Sequence, residues 1–448
     1  MGFQFLMEEL GVECRSATVE LPDLLNNPVV RLVAQKHKRT AAQVLLRFLA
    51  QQDITAIPKS TKAVRIHENG DIFSFQLDEL DMAALSSLDL GGGQFPDGPV
   101  APEPARTEEA PPRTMNTSVT LSGGQRMPLL GLGCWQAPSQ EVAAAVEAAL
   151  LAGYRHIDTA YLYMNEDGVG EGIQAALKSG KMTRSDLFVV TKLPNAGMQE
   201  GKVEKYLKKS LKLLGLDCVD LYLVHTPFGC VERSETDVFP SQDGKPLIEF
   251  STDLIAVWKE MEKMVKLGLT KSIGVSNFNA KQVLKIVSNA EIPPAVHQVE
   301  CHVYFQQRAL REACKKHNIA ITAYAPLGSP GRKVLYESRG ATVELPDLLN
   351  NPVVRLVAEK HKRTAAQVLL RFLAQQDIIV IPKSTKATRI RENGDIFSFQ
   401  LDELDMAALS SLDQGEPGRS FHMSMFPGIS DHPEAPFWTP FQDMKYPL

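Results

Sequence analysis

Apolar residues along this chain come in short continuous runs, each closing on a polar or charged residue before a helical periodicity takes over. The runs at 129–133, 155–158, 188–192, 221–225, 272–276, 296–300, 320–324 and 378–381 have the length and content of buried strands. Between them, apolar positions recur at helical spacing. Val203, Tyr206, Leu207, Ser210, Leu211 and Leu214 share one face. Leu254, Trp258, Met261 and Val265 share another, with Gly268 placed to stop that helix. Continuous apolar strands joined by helices form a parallel sheet covered on both sides. Eight such units in roughly 300 residues predict an α/β fold, a (β/α)8 TIM barrel. A doubly wound sheet is the competitor, but no G-x-G-x-x-G follows an early strand. Ahead of the first unit, short strands flank the turn Ser122-Gly123-Gly124-Gln125, which predicts a β-hairpin plug.

The 448 residues hold more than one barrel. Residues 13–89 repeat 337–413 at a constant offset of 324, and seven of the 77 positions differ: Cys14/Ser338, Ser16/Gly340, Gln35/Glu359, Thr55/Ile379, Ala56/Val380, Val64/Thr388 and His67/Arg391. A repeat that occurs twice, far apart and nearly identical, reads as a recent partial duplication or a fusion of gene models, not a solenoid. The expected domains are therefore a partial duplicate at 1–90, a Pro/Gly-rich linker at 91–114 with six prolines, and a complete barrel at 115–448. The duplicate holds the seventh helix, last strand and last helix of the barrel, too little to bury its own apolar faces. Its stretch 54–57 competes with 378–381 for the place of strand eight. Thr55 and Ala56 bring less apolar bulk and β-propensity than Ile379 and Val380, so the C-terminal copy is expected to win. The first copy is then an appendage or a self-association element on an otherwise monomeric protein.

Composition is that of an ordinary globular protein, 44% hydrophobic and 23% charged with a net charge of −5. There is no basic excess to steer nucleic acid and no run of about 18 apolar residues to span a bilayer, so neither partner is expected. The opening MGFQFLMEELGVE reaches acidic residues too early for a secretory segment, and Leu6 breaks the myristoylation pattern. Six cysteines without a C-x-x-C pair read as reduced thiols of a cytoplasmic protein. Cys134 reads as apolar filler in preference to a reactive thiol.

Four polar side chains close or closely follow successive strands: Asp158 and Tyr163 in RHIDTAYLY (155–163), Lys192 in LFVVTK (187–192) and His225 in LYLVH (221–225). If these strands are parallel neighbours, the four converge at one end of the sheet. A phenol with a pKa of about 10 is a poor acid at neutral pH, but an adjacent ammonium stabilises its anion. Asp158 would keep Lys192 charged and oriented, and a neutral His225 would position and polarise a carbonyl oxygen. Such a set can give a proton to a carbonyl oxygen whose carbon receives hydride, the chemistry of a reductase. The competing reading is a structural Asp–Lys ion pair, with the tyrosine and histidine filling the barrel top. His297 and His302 do not have a metal-ligand spacing on a strand, and no metal is expected.

These residues stand in a longer likeness. GYRHIDTAYLYMNEDGVG (153–170), LFVVTKL (187–193), DLYLVH (220–225), GVSNFN (274–279), HQVECHVY (297–304), AYAPLGSP (323–330) and IPKST (381–385) make residues 115–448 resemble the aldo-keto reductases, in particular the aldose and aldehyde reductase branch. The resemblance implies NADPH-dependent reduction of aldehydes or ketones at the C-terminal mouth of a barrel, with the same roles for Asp158, Tyr163, Lys192 and His225. It implies Ser276, Asn277 and Gln298 on the nicotinamide carboxamide, Tyr324 as the ring on which the nicotinamide stacks, and Leu327 and Ser329 further along the cofactor. Lys383, Ser384 and Arg389 match the clamp on the 2′-phosphate, and Glu392 and Asn393 the adenine contacts. Trp135 and Thr226 belong to the implied substrate pocket.

Departures from the pattern are also informative. The acid–lysine latch of the loop over the pyrophosphate falls on Gly331 and Gln136, both uncharged, so faster cofactor release is expected. Thr226 and Pro194 stand where aromatics are common, reshaping the pocket, and the aromatic-rich stretch 426–441 falls where the resemblance places specificity contacts. The N-terminal copy retains Lys59, Arg65, Glu68 and Asn69 but none of the four catalytic candidates, so it is not expected to catalyse. A catalytically silent binding or structural member of the family is the alternative function.

Overall fold

The computed structural model describes residues 23–88, 117–234, 237, 239–242, 245–338, 345–421 and 428–435. The chain divides into two compact units, Met1–Leu88 and Asp89–Leu448. The expected linker at 91–114 and much of 426–441 lie outside the described residues.

Among its described residues the first unit has four helices, α1 (Pro28–His37), α2 (Ala41–Ala50), α3 (Ala63–Gly70) and α4 (Glu79–Ser86). Local chemistry fixes their ends. The Asn27 side chain accepts from the Val29 and Val30 N–H groups ahead of a proline that opens α1, and Lys38 ends it in a left-handed conformation. Thr40–Gln43 and Asp78–Asp81 form capping boxes on α2 and α4. Val29, Val30, Leu32, Val33, Val44, Leu77, Ala84 and Leu85 form a small buried core. Residues 54–57 belong to no strand.

The second unit opens with an antiparallel hairpin, β1 (Ser118–Thr120) and β2 (Arg126–Pro128), in the register Ser118 opposite Pro128. Eight parallel strands follow: β3 (Leu132–Gly133), β4 (His156–Asp158), β5 (Phe188–Leu193), β6 (Val219–Val224), β7 (Thr270–Ser276), β8 (Val296–Glu300), β9 (Ala320–Tyr324) and β10 (Ile379–Val380). Their order in the sheet is their order in the chain. The ring closes between its ends: the Gly131 N–H donates to Val380 O at 2.9 Å, Val380 N–H to Leu129 O at 2.8 Å and Gly133 N–H to Pro382 O at 3.1 Å. A Cβ at Gly133 would stand 2.7 Å from Ile381 O, so only glycine allows that approach. This is the (β/α)8 barrel expected from the sequence, and its eighth strand comes from the C-terminal copy.

Intervening helices cover the barrel. The principal ones are α5 (Ser139–Leu151), α6 (Glu166–Lys178), α7 (Val203–Leu214), α8 (Leu254–Lys266), α9 (Ala280–Val287) and α10 (Arg308–Lys315). They are followed by α11 (Arg332–Ser338), α12 (Pro352–His361), α13 (Ala365–Ala374), α14 (Ala387–Gly394) and α15 (Glu403–Ser410). On α7 the buried set is Val203, Tyr206, Leu207, Ser210, Leu211 and Leu214, the face given by its periodicity. On α8, Met264 is buried and Val265 only half-buried, so the face is rotated slightly from the expected one. Leu121 and Met127 of the hairpin pack with Leu129, Phe188, Val190, Leu221, Leu223, Val296 and Ile379, inward residues of the strands. The hairpin therefore plugs the barrel floor, and the chemistry is left to the opposite end, where the strands run out. Among the described residues no helix is long and apolar enough to cross a membrane.

Candidate active site

Asp158 ends β4, Lys192 lies near the end of β5, and His225 follows β6. Tyr163 closes a single 3-10 turn, Tyr161–Tyr163, just beyond β4. Because these strands are adjacent and parallel, their C-terminal ends bring all four side chains together. Lys192 and Asp158 are buried, whereas Tyr163 and His225 are half-buried. The ammonium of Lys192 donates to Asp158 Oδ1 at 2.6 Å, to Thr159 O at 2.9 Å and to the Tyr163 hydroxyl at 3.3 Å. Its three protons thus have three acceptors. Since the tyrosine oxygen accepts from lysine, the phenolic hydrogen is left to be donated elsewhere. The Tyr163 and His225 rings meet edge to face, with centroids 5.7 Å apart.

Burial and charge act in opposition here. Burial alone would lower the Lys192 pKa, but Asp158 and Tyr163 outweigh it and hold it above its ordinary value. For Tyr163, burial raises the phenol; Lys192 pulls it down, but less strongly. The sequence reading weighed only the second effect. Burial and then the nearby Lys192 cation push His225 well below its ordinary value, so its imidazole is neutral. Burial, reinforced by Asp158, raises the thiol of Cys134, so it stays protonated.

The residues matched to a nicotinamide ring lie beside this cluster. Ser276 and Gln298 are register partners on β7 and β8. The Gln298 amide donates to Asp158 Oδ2 at 2.6 Å, a link to the catalytic candidates that its position in the chain does not announce. Asn277, in a left-handed conformation, donates to His225 O at 3.0 Å and to Ser276 Oγ at 3.2 Å, and accepts from the Tyr324 hydroxyl at 2.9 Å. The result is a polar strip of fixed amides and hydroxyls running from Asp158 to an aromatic ring. This donor set suits a carboxamide attached to a flat ring. Leu327 and half-buried Ser329 follow on the loop after β9.

Lys383, Ser384, Arg389, Glu392 and Asn393 lie apart from that strip, beyond β10 and along α14. Lys383, Arg389 and Glu392 are exposed and Asn393 is buried. Two exposed cations on one stretch suit a phosphate ester at the rim.

At the mouth, Thr226 accepts from the buried Asn195 amide at 2.6 Å, so the hydroxyl is part of a fixed wall. Trp135 packs against Phe421 at 5.7 Å, and Phe421 stands edge-on to Tyr324 at 5.2 Å. The guanidinium of Arg332 lies 3.7 Å from the Phe421 ring centroid. Phe421 and Arg332 were not singled out in the sequence, where nothing in their spacing distinguishes them. Glu300 explains the placing of Phe421. Its buried carboxylate accepts from the Ser420 N–H at 2.9 Å, the Ser420 hydroxyl at 2.5 Å and the Phe421 N–H at 3.0 Å. Burial opposes ionisation, but these donors and His302 outweigh it and hold Glu300 down at about 2. Further on, His432 is bonded to Glu249 O at 3.1 Å, and Glu434 pairs with Lys285. That part of the C-terminal stretch is tied to the barrel. The uncharged latch positions are as read: Gly331 is exposed, and Gln136 is half-buried with an amide nitrogen that lacks a partner.

His297 and His302 are each held by hydrogen bonds. His297 Nε2 accepts from the Phe278 N–H at 3.2 Å, and His302 bonds Glu300 at 3.2 Å. No group of His, Cys, Asp or Glu among the described residues could hold a metal ion.

The model of the aldo/keto reductase family matches residues 20–90 and again 129–414. Aldo-keto reductase family 1 member A1 of Gallus gallus is 40% identical over 329 residues, covering 72% of this chain and 98% of the relative. A rho crystallin of Aquarana catesbeiana is 38% identical over a span covering 72% of this chain and 98% of that protein. Among solved structures, an aldose reductase from Schistosoma japonicum aligns with a TM-score of 0.65 at 38% identity, covering 72% of this chain and 99% of the other.

Proposed function

The chain belongs to the aldo/keto reductase family and is an oxidoreductase acting on small-molecule carbonyl compounds, and from that premise we propose that it reduces aldehydes and ketones with NADPH, taking the proton from Tyr163. The observation that carries this reading is the bonding of the Tyr163 hydroxyl to a fully engaged Lys192 ammonium, which frees the phenolic hydrogen for the substrate. A bound nicotinamide cofactor supplies the hydride.

Ser276, Asn277 and Gln298 hold its carboxamide and Tyr324 offers its ring face, with Leu327 and Ser329 alongside. Lys383, Ser384 and Arg389 take the 2′-phosphate, with Glu392 and Asn393 at the adenine. Neutral His225 donates to the substrate oxygen without adding a competing charge. As the proton leaves Tyr163, the phenolate forms beside Lys192, and the ion pair offsets part of the desolvation that raises the phenol. Trp135, Thr226 and Phe421 wall the pocket. The described cysteines are all free and four of them are buried, which fits a reducing compartment, and we assign the protein to the cytoplasm.

The likeness to a rho crystallin favours a second reading, a silent structural or binding protein that keeps the fold. A steady-state assay of NADPH oxidation with a reactive aromatic aldehyde separates the two. The reductase reading expects turnover and a lower KM for NADPH than for NADH. No turnover with any aldehyde, over background, would support the silent reading instead.

A further inference from the structure

Of the four catalytic candidates, Tyr163 alone is carried beyond its strand, on a single 3-10 turn. The Thr159 N–H holds the start of this passage, donating to Val190 O at 3.0 Å, and the Tyr161 ring stands edge-on to Tyr206 at 5.3 Å. Met164 then takes a left-handed conformation, with φ 54°, and the chain enters α6. The distance from the phenol to Lys192 therefore depends on what ties this passage to the barrel.

Two buried polar side chains supply the ties. Asn165 stands at the N-cap of α6, where an asparagine ordinarily accepts from the first-turn N–H groups, but its side chain makes no such bond. Its Nδ2 donates instead to Cys134 O and Ala137 O, both at 2.8 Å, and its Oδ1 accepts from the Thr159 hydroxyl at 3.3 Å. This pins the passage to the chain leaving β3. Glu166, the first residue of α6, is 1% exposed, and its carboxylate accepts from the Thr191 hydroxyl at 2.5 Å. Thr191 immediately precedes Lys192 on β5. Successive side chains of a strand point to opposite faces, so Thr191 reaches the helix layer while Lys192 reaches the mouth. Buried Tyr222, the register partner of Thr191 on β6, and Ser210 of α7 complete the surroundings of the carboxyl. A carboxyl in this layer is costly, since burial raises it to about 7. An apolar side chain would fill the space without that cost. What only a polar one provides is a bond from the turn of Tyr163 to the strand of Lys192.

We propose that Asn165 and Glu166 are positioning residues for the proton transfer, fixing the turn of Tyr163 against β3 and, through Thr191, against β5, and so setting the 3.3 Å contact between phenol and ammonium. This role rests on Tyr163 being the proton donor. A displacement of about 1 Å at a reacting group can cost ~10²-fold, so loss of the support is felt in kcat. The polar strip proposed to hold the nicotinamide is carried by β7, β8 and β9, so NADPH binding does not depend on it.

Thr191→Val tests the tie, because it exchanges the hydroxyl for a methyl and keeps the branched shape that suits a strand. With a reactive aromatic aldehyde its kcat should fall ~tenfold or more, while the Kd for NADPH stays at the wild-type value. Thr191→Ser, which keeps the hydroxyl, should restore kcat. A wild-type kcat in Thr191→Val would overturn the proposal. So would a loss shared in proportion by kcat and NADPH binding, or one that serine does not restore, since either would report packing and not the bond. If Thr191→Val does not fold, the Glu166 pair decides. Glu166→Gln keeps an acceptor for Thr191 and should hold kcat, whereas Glu166→Leu should lose it; equal kcat in the two would overturn the proposal. Tyr163→Phe, assayed alongside, separates two failures. Retained turnover there removes the proton donor itself, whereas lost turnover beside an unaffected Thr191→Val removes only the positioning role.

Discussion

Lys192 has three protons to place and three acceptors to receive them, Asp158, Thr159 O and Tyr163. That arithmetic fixes the tyrosine as an acceptor toward lysine and a donor toward the pocket. One shell further out, Thr191 faces away from the site and gives its hydroxyl to the buried Glu166 at 2.5 Å. Burial raises this carboxyl from the usual 4.5 to about 7, more than its bond from Thr191 lowers it. A raised acid holds its proton in the folded state over a range where the unfolded chain has lost it. Stability therefore falls as pH rises between those values, by about 1.4 kcal/mol per pH unit at most. Glu166→Gln removes the penalty. It should raise Tm relative to wild type at pH 8 and have little effect at pH 4, measured by thermal melts; equal shifts at both would contradict the assignment.

At the level of elements, strands and helix faces were legible because they repeat a simple rule. Continuous apolar runs became the eight parallel strands, and the α7 face matched residue for residue. Polar residues that close a strand were legible for the same reason, since strand ends are where a barrel gathers its chemistry. Pairings across distant segments were not. Nothing in the spacing of Gln298 announces Asp158, and nothing near Ser420 announces Glu300, because such bonds depend on which loops the barrel brings over its mouth. The net direction of the Tyr163 shift was also missed, since burial is not a sequence property. Glu300 anchors the segment carrying Phe421, and its lowered pKa means that this anchorage is present above pH 4.5 and is lost as pH falls toward about 2. Glu300→Gln should therefore free the segment, raising amide exchange at Ser420 and Phe421 by ~tenfold or more. Unchanged exchange would show that Phe421 is held by its ring contacts alone.

For the whole molecule, the eight strands, the plug and all proposed site residues lie beyond residue 114, in the second unit. Deleting 1–114 should leave a folded barrel with wild-type turnover, checked by circular dichroism and the aldehyde assay; a chain that no longer folds would mean the first unit is part of the barrel's stability. The central claim is that this barrel assembles one acid, Tyr163, from groups carried by successive strands. Tyr163→Phe removes a single oxygen and leaves the polar strip of Ser276, Asn277 and Gln298 intact. Paired measurement of NADPH binding by fluorescence and of aldehyde turnover is the most direct test. We expect an unchanged Kd with turnover reduced by ~10²–10⁴-fold, the usual worth of a positioned general acid. Turnover retained by Tyr163→Phe at the wild-type rate would contradict the account.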